Sequence, residues 1–141
     1  MPATRRSPVR RIGITGLGMY VPPKVLTNVD LEKMVDTSDE WIRTRTGIVE
    51  RRIAAPGTTT SDLALQAGRN ALKQARLDPK DLELLIVATT TPDMLFPSTS
   101  CLVQQRLGAT SAVCFDLSAA CSGSVFAMIT AQQYLLTGRY R

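Results

Sequence analysis

Two largely apolar runs stand out along the chain: Leu84-Leu85-Ile86-Val87-Ala88, and the stretch from Ala112 to Leu117, broken only by Asp116. Apolar runs this short, without polar alternation, read as strands covered on both faces, as in a parallel sheet clad with helices. A change of period follows each. After Thr89-Thr90-Thr91-Pro92 the pattern predicts a helix from Ser98 to Leu107, with Pro97 in its first turn and Gly108 as C-cap. After the second run, Val125, Met128, Ile129, Gln132 and Leu136 recur at helical spacing up to Thr137-Gly138. Upstream, Thr58 to Asp62 opens a helix with Leu63, Ala67, Ala71 and Ala75 on one stripe, small enough for close packing on another layer. Ile12 to Leu17 reads as a glycine-bearing first strand. Asn28 is expected to cap a helix over Val29 to Val35. Thr37 and Glu40 are expected to form a capping box for a short helix, Asp39 to Arg45, that stops at Gly47. Ile48 to Ala54 reads as extended, with Arg51 and Arg52 solvated. Strands alternating with helices in this order predict an α/β fold with a largely parallel sheet.

Composition narrows the class. The chain has 141 residues, 44% hydrophobic and 21% charged, enough for one globular domain with a real core. Residues 1–10 are polar and basic and read as a disordered tail; residues 11–141 form the domain. The net charge of +5 suits an acidic partner. No aromatic–basic interleaving supports nucleic acid. No apolar run approaches the ~18 residues of a membrane span, and the broken N-terminal segment is a poor signal peptide. Three cysteines, Cys101, Cys114 and Cys121, without C-x-x-C spacing and with no histidine, argue against a metal site. Their odd number without a secretion signal points to a reducing cytoplasm. Gly13, Gly16 and Gly18 do not have the dinucleotide-binding spacing, and Pro22-Pro23 blocks a following helix.

The chemistry centres on Cys121. It sits where a buried strand turns into a helix, and unpaired N–H groups and the helix dipole favour a thiolate there. The small neighbours Ala119, Ala120, Ser122 and Gly123 leave room for a substrate carbonyl. A packed structural cysteine is the alternative, and it is the reading given to Cys101 and Cys114. Trp41 and Arg45, four apart, share a helix face, where an indole and a guanidinium can hold an adenine ring and a phosphate. A tryptophan packed under a surface arginine fits the spacing equally well.

Phe115-Asp116-Leu117-Ser118-Ala119-Ala120-Cys121-Ser122-Gly123 and the stretch from Asp36 to Ile48 resemble the motifs of β-ketoacyl-acyl-carrier-protein synthase III, a thiolase-fold condensing enzyme. The resemblance runs from residue 11 to 141. It implies part of the N-terminal half of a thiolase-like αβαβα fold. It also implies Cys121 as nucleophile, with Trp41, Arg45 and the nearby Thr37 on the coenzyme A adenine, and Phe96 closing the acyl pocket of a homodimer partner. The implied reaction moves an acyl group from acyl-coenzyme A to Cys121. Malonyl-acyl carrier protein then loses carbon dioxide and condenses with it, with no separate cofactor. The family's histidine and asparagine for decarboxylation belong to a second half that this chain lacks. A fragment of a longer synthase is therefore expected, inactive in condensation by itself, with the nucleophile helix open on one apolar face. Ser122-Gly123-Ser124 also departs from the family's usual Ala-Gly-Phe after the cysteine, which leaves primer preference open. Other readings are a starter enzyme of polyketide or secondary metabolism, and a non-catalytic coenzyme A-binding module.

Overall fold

A computed structural model of the chain describes residues 10–140, so the expected tail lies, apart from Arg10, outside the described residues. Arg10 itself is tied down, donating to the carbonyls of Leu135 and Tyr140 at 3.2 and 3.0 Å. The described residues divide into two compact units, 20–58 and 10–19 with 59–140.

In the smaller unit, β1 (Lys24–Thr27) and β2 (Glu50–Ile53) pair antiparallel, Lys24 opposite Ile53 and Thr27 opposite Glu50. Between them lie α1 (Asn28–Glu32) and α2 (Asp39–Thr46). The α1 cap is Thr27, not Asn28. The Thr27 hydroxyl accepts from the Asp30 N–H, and the Asp30 carboxylate accepts from the Thr27 N–H, which closes a capping box one residue early. Asn28 is thereby released for tertiary bonding. Buried, it donates to Asp39 Oδ1 at 2.7 Å and to the Ile48 carbonyl at 2.8 Å, and accepts from Arg51 Nη2 at 2.8 Å. Arg51 is accordingly engaged in the fold rather than solvated. For α2 the cap is Ser38, not Thr37: Ser38 is extended and its Oγ accepts from the Trp41 N–H at 3.1 Å. The helix stops at Gly47, whose φ of 71° lies in the left-handed region, as its sequence position predicts.

The larger unit contains α3 (Thr60–Ala75), β3 (Leu84–Ala88), α4 (Thr99–Leu107), β4 (Val113–Leu117) and α5 (Gly123–Leu136). Strands β3 and β4 are parallel, Leu84 opposite Val113 and Ala88 opposite Leu117, and α4 and α5 both pack on the pair. The expected strand over Ile12 to Leu17 does not form. Among the described residues β3 and β4 pair only with each other, and this segment joins neither. Its backbone meets side chains of α3 instead: Leu17 N–H donates to Gln74 Oε1, and Asn70 Nδ2 donates to the Met19 carbonyl at 2.9 Å. The small stripe on α3 is what admits it. A Cβ at Gly16 would lie 2.6 Å from the Ala71 carbonyl oxygen, and one at Gly18 would overlap the Ala67–Ala71 backbone. The strands are half-buried rather than fully covered, and α5 leaves Val125, Phe126, Met128 and Ile129 about half exposed.

Helix α4 begins at Thr99, so Pro97 stays outside it, and Ser98 makes no side-chain cap bond. A residue from β4 answers the helix N-terminus instead. The Asp116 carboxylate accepts from the Thr99 and Ser100 N–H groups, both at 2.8 Å, and both residues are fully buried. Asp116→Ala should therefore lower the unfolding free energy by about 2–3 kcal/mol in urea titrations of the native protein. A loss under about 0.5 kcal/mol would show that these two bonds are dispensable.

Candidate functional site

Strand β4 ends at Leu117, and Ala120–Ser122 form a 3₁₀ turn before α5 starts at Gly123. Cys121 is the middle residue of that turn and is exposed. It therefore stands just ahead of α5 rather than within its first turn. Ala120, immediately before it, has φ 44°, a left-handed conformation that costs a non-glycine residue roughly 1–2 kcal/mol. Strain of this kind persists only where the surroundings hold it, and it makes the turn a candidate site. No side chain caps the start of α5. Gly123 is buried, and a Cβ there would come 3.3 Å from Ala88 Cβ, so the helix start seats on the end of β3. The strand, the strained turn and the seated helix together fix where the sulfur emerges.

Phe96 lies in the same unit, in the loop between β3 and α4, and is 89% exposed next to the exposed Leu95. The Asp116 bonds that hold the α4 start also anchor this loop to the strand that delivers Cys121.

In the other unit, Asp36, Thr37, Ser38 and Trp41 line an open depression of about 350 Å³. Trp41 is 57% exposed. Thr37 and Trp41 are thus brought together, whereas Arg45, exposed one helical turn further on, is not part of that lining. The neighbouring Arg43 is committed to Asp39, with its Nε 2.7 Å from Oδ2. Sequence reasoning did not foresee the meeting of Cys101 and Cys114, whose Sγ atoms lie 3.2 Å apart between α4 and β4. No local signal marks that pair, because it depends on how a helix packs on a strand. Among the described residues no cluster of histidine, cysteine and acidic side chains could hold a metal ion, and no helix is long and apolar enough to cross a membrane.

No family model matches the chain. Solved structures do. The 3-oxoacyl-acyl-carrier-protein synthase III of Aquifex aeolicus superimposes with a TM-score of 0.85 at 54% identity, over 89% of this chain and 40% of that one. The priming β-ketosynthase of the R1128 polyketide biosynthetic pathway gives a TM-score of 0.91 at 37% identity, over 99% of this chain and 42% of that one. The fold is therefore that of the thiolase-like synthases, in the N-terminal part of which these elements occur. Among curated proteins, the β-ketoacyl-acyl-carrier-protein synthase III of Caldanaerobacter subterraneus is 61% identical over 129 residues, 92% of this chain and 39% of that protein. Its counterpart in Symbiobacterium thermophilum is 61% identical over 132 residues, 94% of this chain and 40% of that protein. The chain belongs to the β-ketoacyl-acyl-carrier-protein synthase III family, and spans about two fifths of the length of the curated relatives it matches.

The start of α2 should carry a measurable pH signature. The hydrogen bond from Arg43, then that from Asn28, holds the Asp39 carboxyl below its ordinary value of 3.8. A depressed folded-state value means that the stabilisation is present above pH 3.8 and is lost as the pH falls through the lowered value. An NMR titration of the Asp39 carboxyl should give a midpoint below 3.8, moving up towards it in Arg43→Ala. A wild-type midpoint at or above 3.8 would contradict the Arg43 and Asn28 bonds.

Proposed function

We propose that Cys121 is the acyl-accepting nucleophile of an initiating condensing enzyme of fatty-acid synthesis. The observation that carries this is the exposed Cys121 on its strained turn between β4 and α5, in a chain 61% identical to synthases of this class. The sulfur attacks the carbonyl carbon of an acyl-coenzyme A. The carbonyl oxygen takes up the negative charge, for which a backbone N–H at the turn other than those of Ser122 and Gly123, which bond back to Ala119 and Ala120, is the proposed donor. The intermediate collapses to acyl-Cys121, and coenzyme A leaves as its thiolate. Malonyl-acyl carrier protein then enters, carbon dioxide departs, and the resulting carbanion attacks the acyl-cysteine to give 3-oxoacyl-acyl carrier protein. By family resemblance that second step uses a histidine and an asparagine, and this chain contains no histidine. These 141 residues alone are thus assigned acyl transfer at most, and condensation is assigned to a longer protein that carries them.

Trp41 and Thr37 are proposed to receive the coenzyme A adenine at their depression, with Arg45 meeting a phosphate from one turn away. Phe96 is proposed to close the acyl pocket of a homodimer partner, a role that fits an aromatic ring left 89% exposed. Coenzyme A and carrier-protein thioesters serve as substrates, and the setting is cytoplasmic. A second reading, priming of a polyketide pathway, draws on the R1128 ketosynthase, whose fold this chain follows over 99% of its length. Comparing primers of different length and branching on the native protein separates the two.

With acetyl-coenzyme A, peptide mapping of the native protein should find the acyl group on Cys121. Cys121→Ser should lower the transfer rate roughly a thousandfold or more; an acyl group on another residue would refute the assignment. Trp41 is the only tryptophan in the chain, so its emission should change on coenzyme A titration. Arg45→Ala should raise KM for the acyl donor roughly tenfold and leave kcat near its original value, as expected for a group that binds substrate and transition state alike. Equal KM values would remove Arg45 from the proposed binding site.

A further inference from the structure

Cys101 on α4 and Cys114 on β4 face each other across the helix–strand contact, Sγ to Sγ 3.2 Å. A disulfide requires about 2.0 Å, so closure needs about 1.2 Å of sulfur movement. The backbones on either side are already pinned. Thr99 and Ser100, just before Cys101, donate to Asp116, two residues beyond Cys114. The Ser98 hydroxyl donates to Cys101 Sγ at 3.1 Å, and Cys114 Sγ lies 3.4 Å from Gln104 Oε1. We infer that Cys101 and Cys114 form a redox modification site, which a small disulfide of the oxidised-glutathione class converts to an intramolecular disulfide between α4 and β4. This inference does not rest on the acyl-transfer reading, and it leaves Cys121 outside the pair.

The two thiols differ in a way that sets their roles. The Ser98 hydrogen bond, then the one from Cys114, lowers the Cys101 thiol from its ordinary value. Burial, then the Cys101 neighbour, pushes the Cys114 thiol up to about 11. Asp116 is the other charged group acting on both, and it raises both. Cys101 is therefore the attacking thiolate and Cys114 the resolving thiol. The Cys101 thiolate attacks one sulfur of oxidised glutathione. A Cys101–glutathione mixed disulfide forms and one glutathione thiolate leaves. Cys101 is then uncharged, and the repulsion it exerted on a Cys114 thiolate disappears. Cys114 loses its proton to the departing glutathione and attacks the Cys101 sulfur, which expels the second glutathione. Two electrons pass from the protein to the oxidant, the protein loses two hydrogens, and two molecules of reduced glutathione result.

The test is peptide mapping of the native protein after equilibration with graded ratios of oxidised to reduced glutathione, acid quenching, and alkylation with N-ethylmaleimide under denaturing conditions. As the ratio rises, the alkylated forms of Cys101 and Cys114 should disappear together. A linked peptide pair lighter by two hydrogens should replace them. In Cys114→Ser the glutathione adduct should persist on Cys101, and in Cys101→Ser position 114 should stay free of glutathione. The wild-type map decides even if neither variant folds. Both residues alkylated at every ratio, or either one linked to Cys121 instead, would overturn the inference.

Discussion

A single carboxylate organises the larger unit. Asp116 reaches from the interior of β4 to the first two N–H groups of α4, which have no local side-chain cap. Charge-assisted bonds to backbone donors are strong where water is excluded, and here the residues donating them are fully buried. The bond pair holds one helix, the loop carrying Phe96 and the strand delivering Cys121 in fixed relation. The face-to-face placement of Cys101 and Cys114 has the same origin.

What could be read from the sequence follows the range of the forces involved. Strand β3 falls on the apolar run Leu84 to Ala88 without offset, and β4 begins one residue inside its run, because a short apolar run marks a strand position even where the covering is incomplete. Gly47 and Gly108 end their helices as expected, since left-handed φ values of 71° and 77° are a local requirement. The capping residues of α1 and α2 each lie one position from the expected ones. Thr27 or Asn28, and Thr37 or Ser38, can cap equally well in isolation, and tertiary demand on Asn28 decides the first case. Arg51 was read as solvated because nothing local announces that Asn28 needs it. The segment expected as a strand over Ile12 to Leu17 lies against α3 instead, a contact between distant positions that its own residue pattern does not announce.

The candidate site shows the same division. The place of Cys121 between a strand and a helix is legible in the sequence because a strand, small residues and a helix follow one another without a gap. The left-handed Ala120 is not, since alanine carries no signature of that conformation. Thr37 and Trp41 share one depression, while the placement of Arg45 outside that lining is invisible to i, i+4 spacing, which assigns a face but not a rim. The thiol pair was missed for the reason the Asp116 bridge was missed: both link positions that only the packing of a helix on a strand makes neighbours.

The conformation of Ala120 also makes the placement of the exposed Cys121 a gauge of the fold around it. A left-handed alanine persists only while its surroundings over-determine it. Here the anchored end of β4 and the seating of Gly123 on Ala88 do so from either side. If either hold is released, Ala120 falls back to an ordinary backbone well and the sulfur swings off its bearing. Correct presentation of Cys121 is thus coupled to local integrity. A chain that has come apart at this corner therefore loses the placement of its exposed thiol together with its packing.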